Sequence, residues 1–301
     1  MQYLNNKNIR RSTGSRVFDA LNILVLCLLG FVTLYPMYYI LIVSISDGYF
    51  VSRNMVHWYP MGVNVEVYKS ILNYNYFMRA YGNTIVYTVV GTAINLVMTV
   101  LCAYPLSRKD LYGRGVIVAL VTFTMFFSGG LIPMYLQIIG LGLQDSMWSL
   151  VLPGAISTYN MIVMRTFFQN IPDELHESAY LDGASDFTVL MRIILPLSGA
   201  MMATMTLFYA VGHWNSYFNA LIYLNSREKY PLQLVLRNIV IQGSDTDMLN
   251  YAGTATETAS TVVTQNYKYA AIVVAVLPIL LVYPFVQRFF VKGVMIGSIK
   301  G

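Results

Sequence analysis

Residues that could carry catalytic chemistry are few in this sequence, and they are dispersed. The three histidines, His57, His176 and His213, fall far apart in the chain, so neither a metal-ligand cluster nor a Ser/His/Asp arrangement is predicted. Acidic residues concentrate in one segment, 173–186, without histidine or cysteine partners at ligand spacing. A membrane-embedded enzyme that acts on lipid-linked sugars would need such a cluster, so this class stays open only as an alternative.

The segments that position these residues are strongly apolar. Hydrophobic residues make up 56% of the 301 residues and charged residues only 11%, against about 25% in a typical soluble domain. Six runs without Asp, Glu, Lys or Arg approach or exceed the roughly 20 residues that a helix needs to cross a bilayer. The sequence therefore predicts an all-α membrane protein with six transmembrane helices. The runs are 20–46, 80–107, 115–144, 146–164, 193–226 and 269–287.

The first run follows a basic stretch and has to be distinguished from a cleaved signal peptide. It is longer than a signal-peptide core, and no A-x-A-like cleavage site follows it, so a retained helix is expected. Cys27 and Cys102 both fall inside predicted spans, which gives no indication of a disulfide framework.

Basic residues predict which side of the membrane each loop faces. With the N-terminus inside, 12 of the 19 Lys and Arg residues fall in inside segments, and the other 7 lie in two long outside loops that count for less. Both termini are therefore predicted to be cytoplasmic, in a multi-pass protein of the cytoplasmic membrane. The pI near 9.0 then reflects topology, and no nucleic-acid partner is expected.

The acidic segment follows the fourth predicted span and so lies on the cytoplasmic side. Pro172 suits the first turn of a helix, and acidic residues follow it at the positive end of the helix dipole. Gly183 is a plausible stop, and a second helix is predicted from about Ser185 through Pro196 into the fifth span. Ala179 is small, so a partner is expected to approach closely there.

Such a helix could lie on the membrane surface or bind another protein. Surface helices prefer Lys and Arg on their polar face, whereas this segment carries five acidic residues with only His176 and Arg192 to offset them. An anionic leaflet would repel that charge, so the pattern favours a protein partner.

The spacing within the segment resembles the EAA motif of ABC-importer permeases, E-A-A-x3-G-x9-I-x-L-P. Only Ser178 departs from the motif, and it keeps a small side chain. The matching positions are Glu177, Ser178, Ala179, Gly183, Ile193, Leu195 and Pro196. The stretches 35–46 (YPMYYILIVSIS) and 292–301 (KGVMIGSIKG) are similar to the carbohydrate-uptake permeases, and within them to the MalG-like half of oligo- and polysaccharide importers.

This resemblance implies a type I ABC importer permease fold in the inner membrane of a bacterium. In that family the EAA loop is a coupling helix that docks in a cleft of the cytoplasmic ATPase and carries its closure to the membrane helices. The C-terminal tail of the family also reaches the ATPase, which here would involve residues 297–301. By resemblance, the coupling residues are Glu177, Ser178, Ala179, Gly183, Leu195 and Pro196.

The resemblance also implies the partners and the mechanism, which is alternating access. These partners are a second homologous permease, two ATPase subunits that bind ATP and Mg, an extracellular solute-binding (lipo)protein, membrane lipid and an oligosaccharide substrate. The chain has no G-x-x-x-x-G-K-[ST] loop, so it is expected to hold no cofactor and to be no enzyme. A stand-alone secondary transporter stays as an alternative, against which the lack of Asp and Glu in the six runs weighs.

The fifth predicted span is the most polar and is the candidate substrate path. Asn215 and Asn219 are expected one turn apart on one helix face, where their amides would bond either a sugar or neighbouring helices. Aromatic rings there would stack on a sugar or collect at the interface. His213 is expected to be packed and hydrogen-bonded. The candidate residues are Tyr209, His213, Trp214, Asn215, Tyr217 and Asn219.

Two long loops are predicted outside, and the second is the candidate contact with the binding protein. The alternative for it is a disordered surface loop. A short helix is predicted over 232–241, and the connection at 140–145 is expected to be too short to form much. The candidate contact residues are Gln233, Asn238, Gln242 and Asp245.

The predicted organisation is a single membrane domain with short ends. A short helix along the membrane is expected in the first outside loop, from resemblance. The parts are a cytoplasmic N-terminal segment 1–16, a permease domain 17–292 with coupling helices near 170–186 and extracellular loops 47–79 and 227–268, and a cytoplasmic tail 293–301.

Overall fold

The structure, a computed structural model, describes residues 13–242 and 266–284, and all regular structure in these two ranges is helical. This confirms the predicted all-α class. The helices are α1 Thr13–Ser44, α2 Gly48–Ser52, α3 Glu66–Asn73, α4 Asn75–Ser107, α5 Arg114–Phe126, α6 Leu131–Gly140, α7 Trp148–Val151, α8 Thr158–Gln169, α9 Glu174–Leu181, α10 Asp186–Val189, α11 Leu195–Leu197, α12 Gly199–Trp214, α13 Phe218–Tyr223, α14 Leu232–Gln242 and α15 Asn266–Pro284.

Three of the described helices are long and apolar enough to cross a bilayer by themselves, namely α1 over Val17–Ser44, α4 and α15. Two bent pairs pass the same test together: α5 with α6, at 110°, and Asp186–Leu197 with α12, at 84°. The described part of the chain therefore offers three to five spans, and the count of six stays a prediction.

The third apolar run is not one uninterrupted helix, as the sequence predicts, but a broken pair. The break falls in a Phe-Ser-Gly-Gly stretch between α5 and α6. Gly130 has φ +89°, a conformation that residues with a side chain rarely adopt. A glycine in that conformation cannot continue a right-handed helix, so the chain turns there.

The fourth and fifth runs are also interrupted, which corrects the prediction of one helix for each. In the fourth run α7 is followed by a 3-10 turn, Leu152–Gly154, and α8 begins only at Thr158, because Pro153 lacks a backbone N–H. In the fifth run a π turn precedes Pro196, and the axis bends before α12.

Contacts divide the described residues into two compact units, 13–68 with 266–273 and 69–242 with 274–284. In the first unit, Ile42, Val43, Val51 and Val56 form the buried core. The amide of Asn266 donates to the Ser46 carbonyl at 2.6 Å and ties α15 to the end of α1. The first predicted outside loop holds two short helices, α2 and α3.

The second unit is built around α4. One buried cluster joins α4 to α8, α9, the π turn and α12, through residues such as Ala103, Met164, Ala179, Ile194 and Met205. The segment that resembles the coupling loop therefore belongs to the same core as the membrane helices beside it.

Candidate coupling site and transport path

The acidic segment folds as the sequence predicts, into a helix, a tight turn and a second helix. α9 ends two residues before Gly183, whose φ of +79° lies in the left-handed region that glycine tolerates best. The N–H of Ala184 donates to the carbonyl of Ala179 at 2.9 Å and closes the turn. The Ser185 hydroxyl accepts from the N–H of Thr188 at 3.4 Å and caps α10.

One side of the segment is open to solvent. Glu177 and Ser178 are exposed there. Leu181 is 90% exposed, and Phe187 and Met191 are also exposed, at 64% and 49%. Sequence reasoning did not single out these three apolar residues. The sequence could have indicated them, because they are large hydrophobic side chains in a short acidic segment outside the predicted spans.

The other side of α9 faces the protein core. Ala179 is 6% exposed and His176 is 4% exposed. The expectation that a partner approaches closely at Ala179 is wrong, because its small side chain lets α9 pack onto the chain's own core cluster. Of the remaining motif residues, Gly183 and Pro196 are exposed and Leu195 is half-buried.

His176 connects α9 to the end of α4. Its ring stacks on Tyr104, with centroids 6.3 Å apart and planes 17° apart. Burial, and next the nearby Arg108 guanidinium, lower the pKa of His176, so the imidazole is held in its neutral form. At the start of the same helix Lys109 donates to Asp173 at 2.8 Å, which lowers the pKa of that carboxyl.

The turn between α9 and α10 is braced by a side-chain pair. The Tyr180 hydroxyl donates to Oδ1 of Asp186 at 2.5 Å, and burial together with this bond raises the pKa of Tyr180. The Arg108 guanidinium lies 5.7 Å from the centroid of the Tyr180 ring. Within the described ranges no group of three or more His, Cys, Asp or Glu could hold a metal ion.

Two candidate path residues instead bind α12 to α4. The Tyr209 hydroxyl and the Thr99 hydroxyl are 2.6 Å apart. Nε2 of His213 lies 2.6 Å from Oδ1 of Asn95, and the imidazole packs directly on Gly91. His213 is therefore packed and hydrogen-bonded, as expected from the sequence.

Asn95 also holds the broken fourth run. Its amide nitrogen donates to the carbonyls of Gly154 and Ala155, at 2.5 and 3.0 Å. Backbone carbonyls freed by a helix break inside a membrane need such a partner. Trp214 is likewise engaged within the protein, since its indole N–H donates to the carbonyl of Ala275 at 3.2 Å. Sequence reasoning missed Asn95, although it is an amide within the second apolar run.

The other three candidate path residues surround a helix break. α12 ends at Trp214 and α13 begins at Phe218, so Asn215 and Asn219 do not share one face of one helix, which corrects the prediction. Asn215 and Tyr217 are exposed and Asn219 is half-buried. Of these candidate residues, Asn215 and Tyr217 therefore present their polar groups to solvent.

The predicted helix of the outer loop is confirmed as α14. Gln233 and Asn238 are half-buried on it, and Gln242 is its last residue. The fourth candidate contact residue, Asp245, lies outside the described residues. The base of the loop is fixed by Thr84 of α4, whose hydroxyl accepts from the N–H of Leu232 at 2.7 Å.

Sequence reasoning overlooked Asp145, which lies in a connection that was expected to form little. Its carboxylate accepts from the N–H groups of Asn225 and Ser226 at 3.0 and 2.9 Å, and from the Ser226 hydroxyl at 2.6 Å. Lys229 donates to the same carboxylate at 2.7 Å. The Lys229 and Ser226 bonds hold the pKa of Asp145 far below its ordinary value.

Comparison with known proteins identifies the family. Residues 95–296 match the family described as "Binding-protein-dependent transport system inner membrane component". The chain belongs to this family. The matched range contains the acidic segment, the Asn95–His213 contact and the outer loop.

Individual relatives agree with this membership. The permease is 43% identical to "Protein LplC" of Bacillus subtilis strain 168, over 97% of this chain and 98% of the relative. It is 40% identical to the polygalacturonan/rhamnogalacturonan transport system permease protein YtcP of the same strain, over 95% and 99%. Among solved structures, a chain of a bacterial ABC transporter involved in the import of the acidic polysaccharide alginate matches with TM-score 0.85 and 32% identity, over 93% of the permease and 99% of that chain.

Proposed function

We propose that this permease is one membrane subunit of an ATP-driven importer that moves oligosaccharides or polysaccharide fragments across the cytoplasmic membrane by alternating access. The names of two similar proteins support the cargo class, since YtcP is a polygalacturonan/rhamnogalacturonan permease and the structural neighbour serves alginate import. As a carrier subunit it performs no chemistry on the sugar.

The observation that carries the coupling role is the two-sided character of α9. Its outer side presents Glu177, Ser178 and Leu181 to solvent, while its inner side is locked into the membrane-domain core by His176 and Ala179. A force applied to the outer side is therefore transmitted to α4 and to the helices that feed α12. A partner ATPase, which binds ATP and Mg, would supply that force.

Contacts between loops support the proposed six-span topology with both termini in the cytoplasm. Lys109–Asp173 joins two segments that are predicted to lie inside. Arg79–Glu228, at 3.4 Å, and Lys229–Asp145 each join segments predicted to lie outside. No described ion pair joins an inside segment to an outside one. In this topology 170–186 faces the ATPase, 47–79 and 227–268 are external, and the 293–301 tail is cytoplasmic.

The proposed assembly contains a second homologous permease, two ATPase subunits and an extracellular solute-binding protein. A second solved match is titled as an alginate ABC transporter in complex with an alginate pentasaccharide-bound periplasmic protein, and at 16% identity with TM-score 0.55 it speaks to the fold alone. The substrate path would pass the exposed Asn215 and Tyr217 at the break between α12 and α13, while Tyr209, His213 and Trp214 hold the helices together.

Purification and transport together test this proposal. The permease should co-elute with an ATPase and a second permease, and the reconstituted assembly should take up oligosaccharide only when ATP is supplied. Glu177→Arg or Gly183→Pro should abolish that uptake, because the first reverses charge on the docking side and the second forbids the left-handed turn. Transport or sugar-modifying activity by the lone chain would contradict the proposal.

A further inference from the structure

We infer that Asp145 is a positioning residue for substrate delivery: it fixes the base of the outer loop so that α14 is held ready for the solute-binding protein. This inference rests on the proposed function. Asp145 lies in the connection between α6 and α7, residues 141–147, which is far in sequence from the loop that it holds.

The geometry of Asp145 is unusually constrained for a surface residue. Its φ is +53°, in the left-handed region that non-glycine residues seldom occupy, although aspartate tolerates it better than most. Residues remain in that region only where the surroundings over-determine them. Here the backbone N–H of Asp145 donates to the Tyr223 carbonyl at 2.8 Å, and its carbonyl accepts from Lys229 at 2.6 Å.

Together with the four bonds to its carboxylate, these contacts engage every hydrogen-bonding group of Asp145. Both carboxylate oxygens accept two bonds each, from Asn225 and Ser226 on one oxygen and from Ser226 and Lys229 on the other. Only 24% of the side chain is exposed. Bonds to an ionised acceptor are stronger than neutral ones, so this single carboxylate organises the whole 225–229 turn.

The opposite side of the same turn is held by α4. The Asn83 amide donates to the carbonyls of Glu228 and Tyr230 at 2.7 and 3.1 Å, and the Tyr87 hydroxyl donates to the carbonyl of Lys229 at 2.9 Å. The 225–230 turn is thus hydrogen-bonded to α4 on one side and to Asp145 on the other. α14 begins directly after it.

The consequence is a defined starting point for α14. Leu232, Leu234 and Val235 are buried, at 1% exposure or less, while Gln233 and Asn238 remain partly accessible. A binding surface that is already ordered loses less conformational entropy when a partner docks, so its affinity is higher. Loss of the Asp145 carboxylate should therefore weaken docking without touching the ATPase side.

A second ion pair on the same turn provides the matched control. Arg79 and Glu228 lie 3.4 Å apart with side chains that are 58% and 78% exposed. Exposed pairs of this kind contribute little. Glu228→Gln removes a charge from the same turn but leaves its backbone contacts with Asn83 intact.

The test uses the whole importer, purified with its solute-binding protein, and measures ATP hydrolysis as that protein is titrated. Asp145→Ala and Lys229→Met should raise the half-saturating concentration of binding protein about tenfold, because each removes charge-assisted hydrogen bonds that hold the 225–229 turn. Basal hydrolysis and the maximal rate should stay within about twofold. Lys229→Arg should behave close to wild type, and Glu228→Gln should be indistinguishable from it.

A second readout does not depend on transport. Amide hydrogen exchange in the assembled complex should accelerate across 223–232 in Asp145→Ala and not in Glu228→Gln. If exchange accelerates while even the wild-type complex ignores the binding protein, the proposed function fails and the structural role of Asp145 stands. Unchanged exchange, an unchanged half-saturating concentration, or a loss confined to the maximal rate would each overturn the inference.

Discussion

His213 of α12 donates a hydrogen bond to Asn95 of α4, and the direction of that bond is fixed by the rest of the site. Because the amide nitrogen of Asn95 donates to Gly154 and Ala155, its oxygen is the acceptor, and Nε2 of His213 must carry the proton. One buried amide thus connects three of the predicted spans.

Asn95→Leu should destabilise the permease by about 1–3 kcal/mol, because it leaves two carbonyls at the helix break and one imidazole N–H without this partner. The measurement is the thermal midpoint of the purified complex in detergent. Asn215→Leu is the control, since Asn215 is exposed at the end of α12 and should shift the midpoint little. Equal midpoints for the two variants would show that the Asn95 contacts are dispensable.

Gly91→Val should impair folding or transport, because a side chain at this position collides with the imidazole of α12. A Cβ atom there would lie 2.5 Å from Nε2 of His213, whereas at Gly82 it would meet nothing within 4 Å. Gly82→Val is therefore expected to retain activity. The double change of Gly91→Ala with His213→Ala should recover more uptake than Gly91→Ala alone, and failure to recover would exclude the imidazole as the obstacle.

Leu181→Ser should weaken retention of the ATPase by about tenfold, since burial of a leucine side chain contributes about 1.5–3 kcal/mol. The variant should not lower the stability of the permease itself, because Leu181 is 90% exposed in the chain alone. Leu141→Ser offers a matched control: Leu141 is 63% exposed and lies on the predicted outer side. Quantitative co-purification with the ATPase distinguishes the two.

Acidification should destabilise the coupling segment through His176. Burial lowers its pKa, so the unfolded chain binds the proton more readily than the folded protein does. Stability should therefore decrease as the pH falls below about 6.5, the ordinary histidine value, and remain complete above it. Thermal midpoints between pH 8 and pH 5 measure the slope.

His176→Phe is the informative variant for this slope, because it keeps a ring against Tyr104 and removes the titration. It should flatten the decline in stability at acid pH. His57→Gln is the control, since His57 is exposed and its backbone carbonyl, which the substitution keeps, accepts the hydrogen bond from Tyr35. An unaltered slope in His176→Phe would assign the pH dependence to other groups.

Sequence reasoning predicted the helical class and the helix–turn–helix fold of the acidic segment because both depend on local signals. Charge-free runs indicate helices with apolar surroundings. Pro172, Gly183 and Ser185 indicate where helices start and stop, and each does so within a few residues. The same is true of α14, which is an apolar stretch bounded by polar residues. These elements required no knowledge of which residues meet across the fold.

The breaks and the cross-links could not be predicted in the same way. Hydropathy registers that 146–164 is apolar, but the interruption near Gly154 persists because Asn95, about 60 residues earlier, satisfies its carbonyls. Asp145 likewise finds its partners about 80 residues away. Ala179 was predicted as a partner contact because the motif records that the residue is small, not which side of the helix it faces.

In the proposed topology the two membrane faces differ in how acidic the medium must become before their contacts weaken. Outside, where a bacterium cannot control the medium, the Asp145 carboxylate stays ionised because Lys229 holds its pKa low. Its hydrogen bonds to the 225–229 turn therefore weaken only in strong acid. Inside, the contact between α9 and α4 uses a neutral imidazole whose pKa burial lowers, and this contact weakens as the pH falls below the ordinary histidine value. In this topology the outer side of the permease tolerates a variable pH, whereas the inner side depends on the buffered pH that the cell maintains.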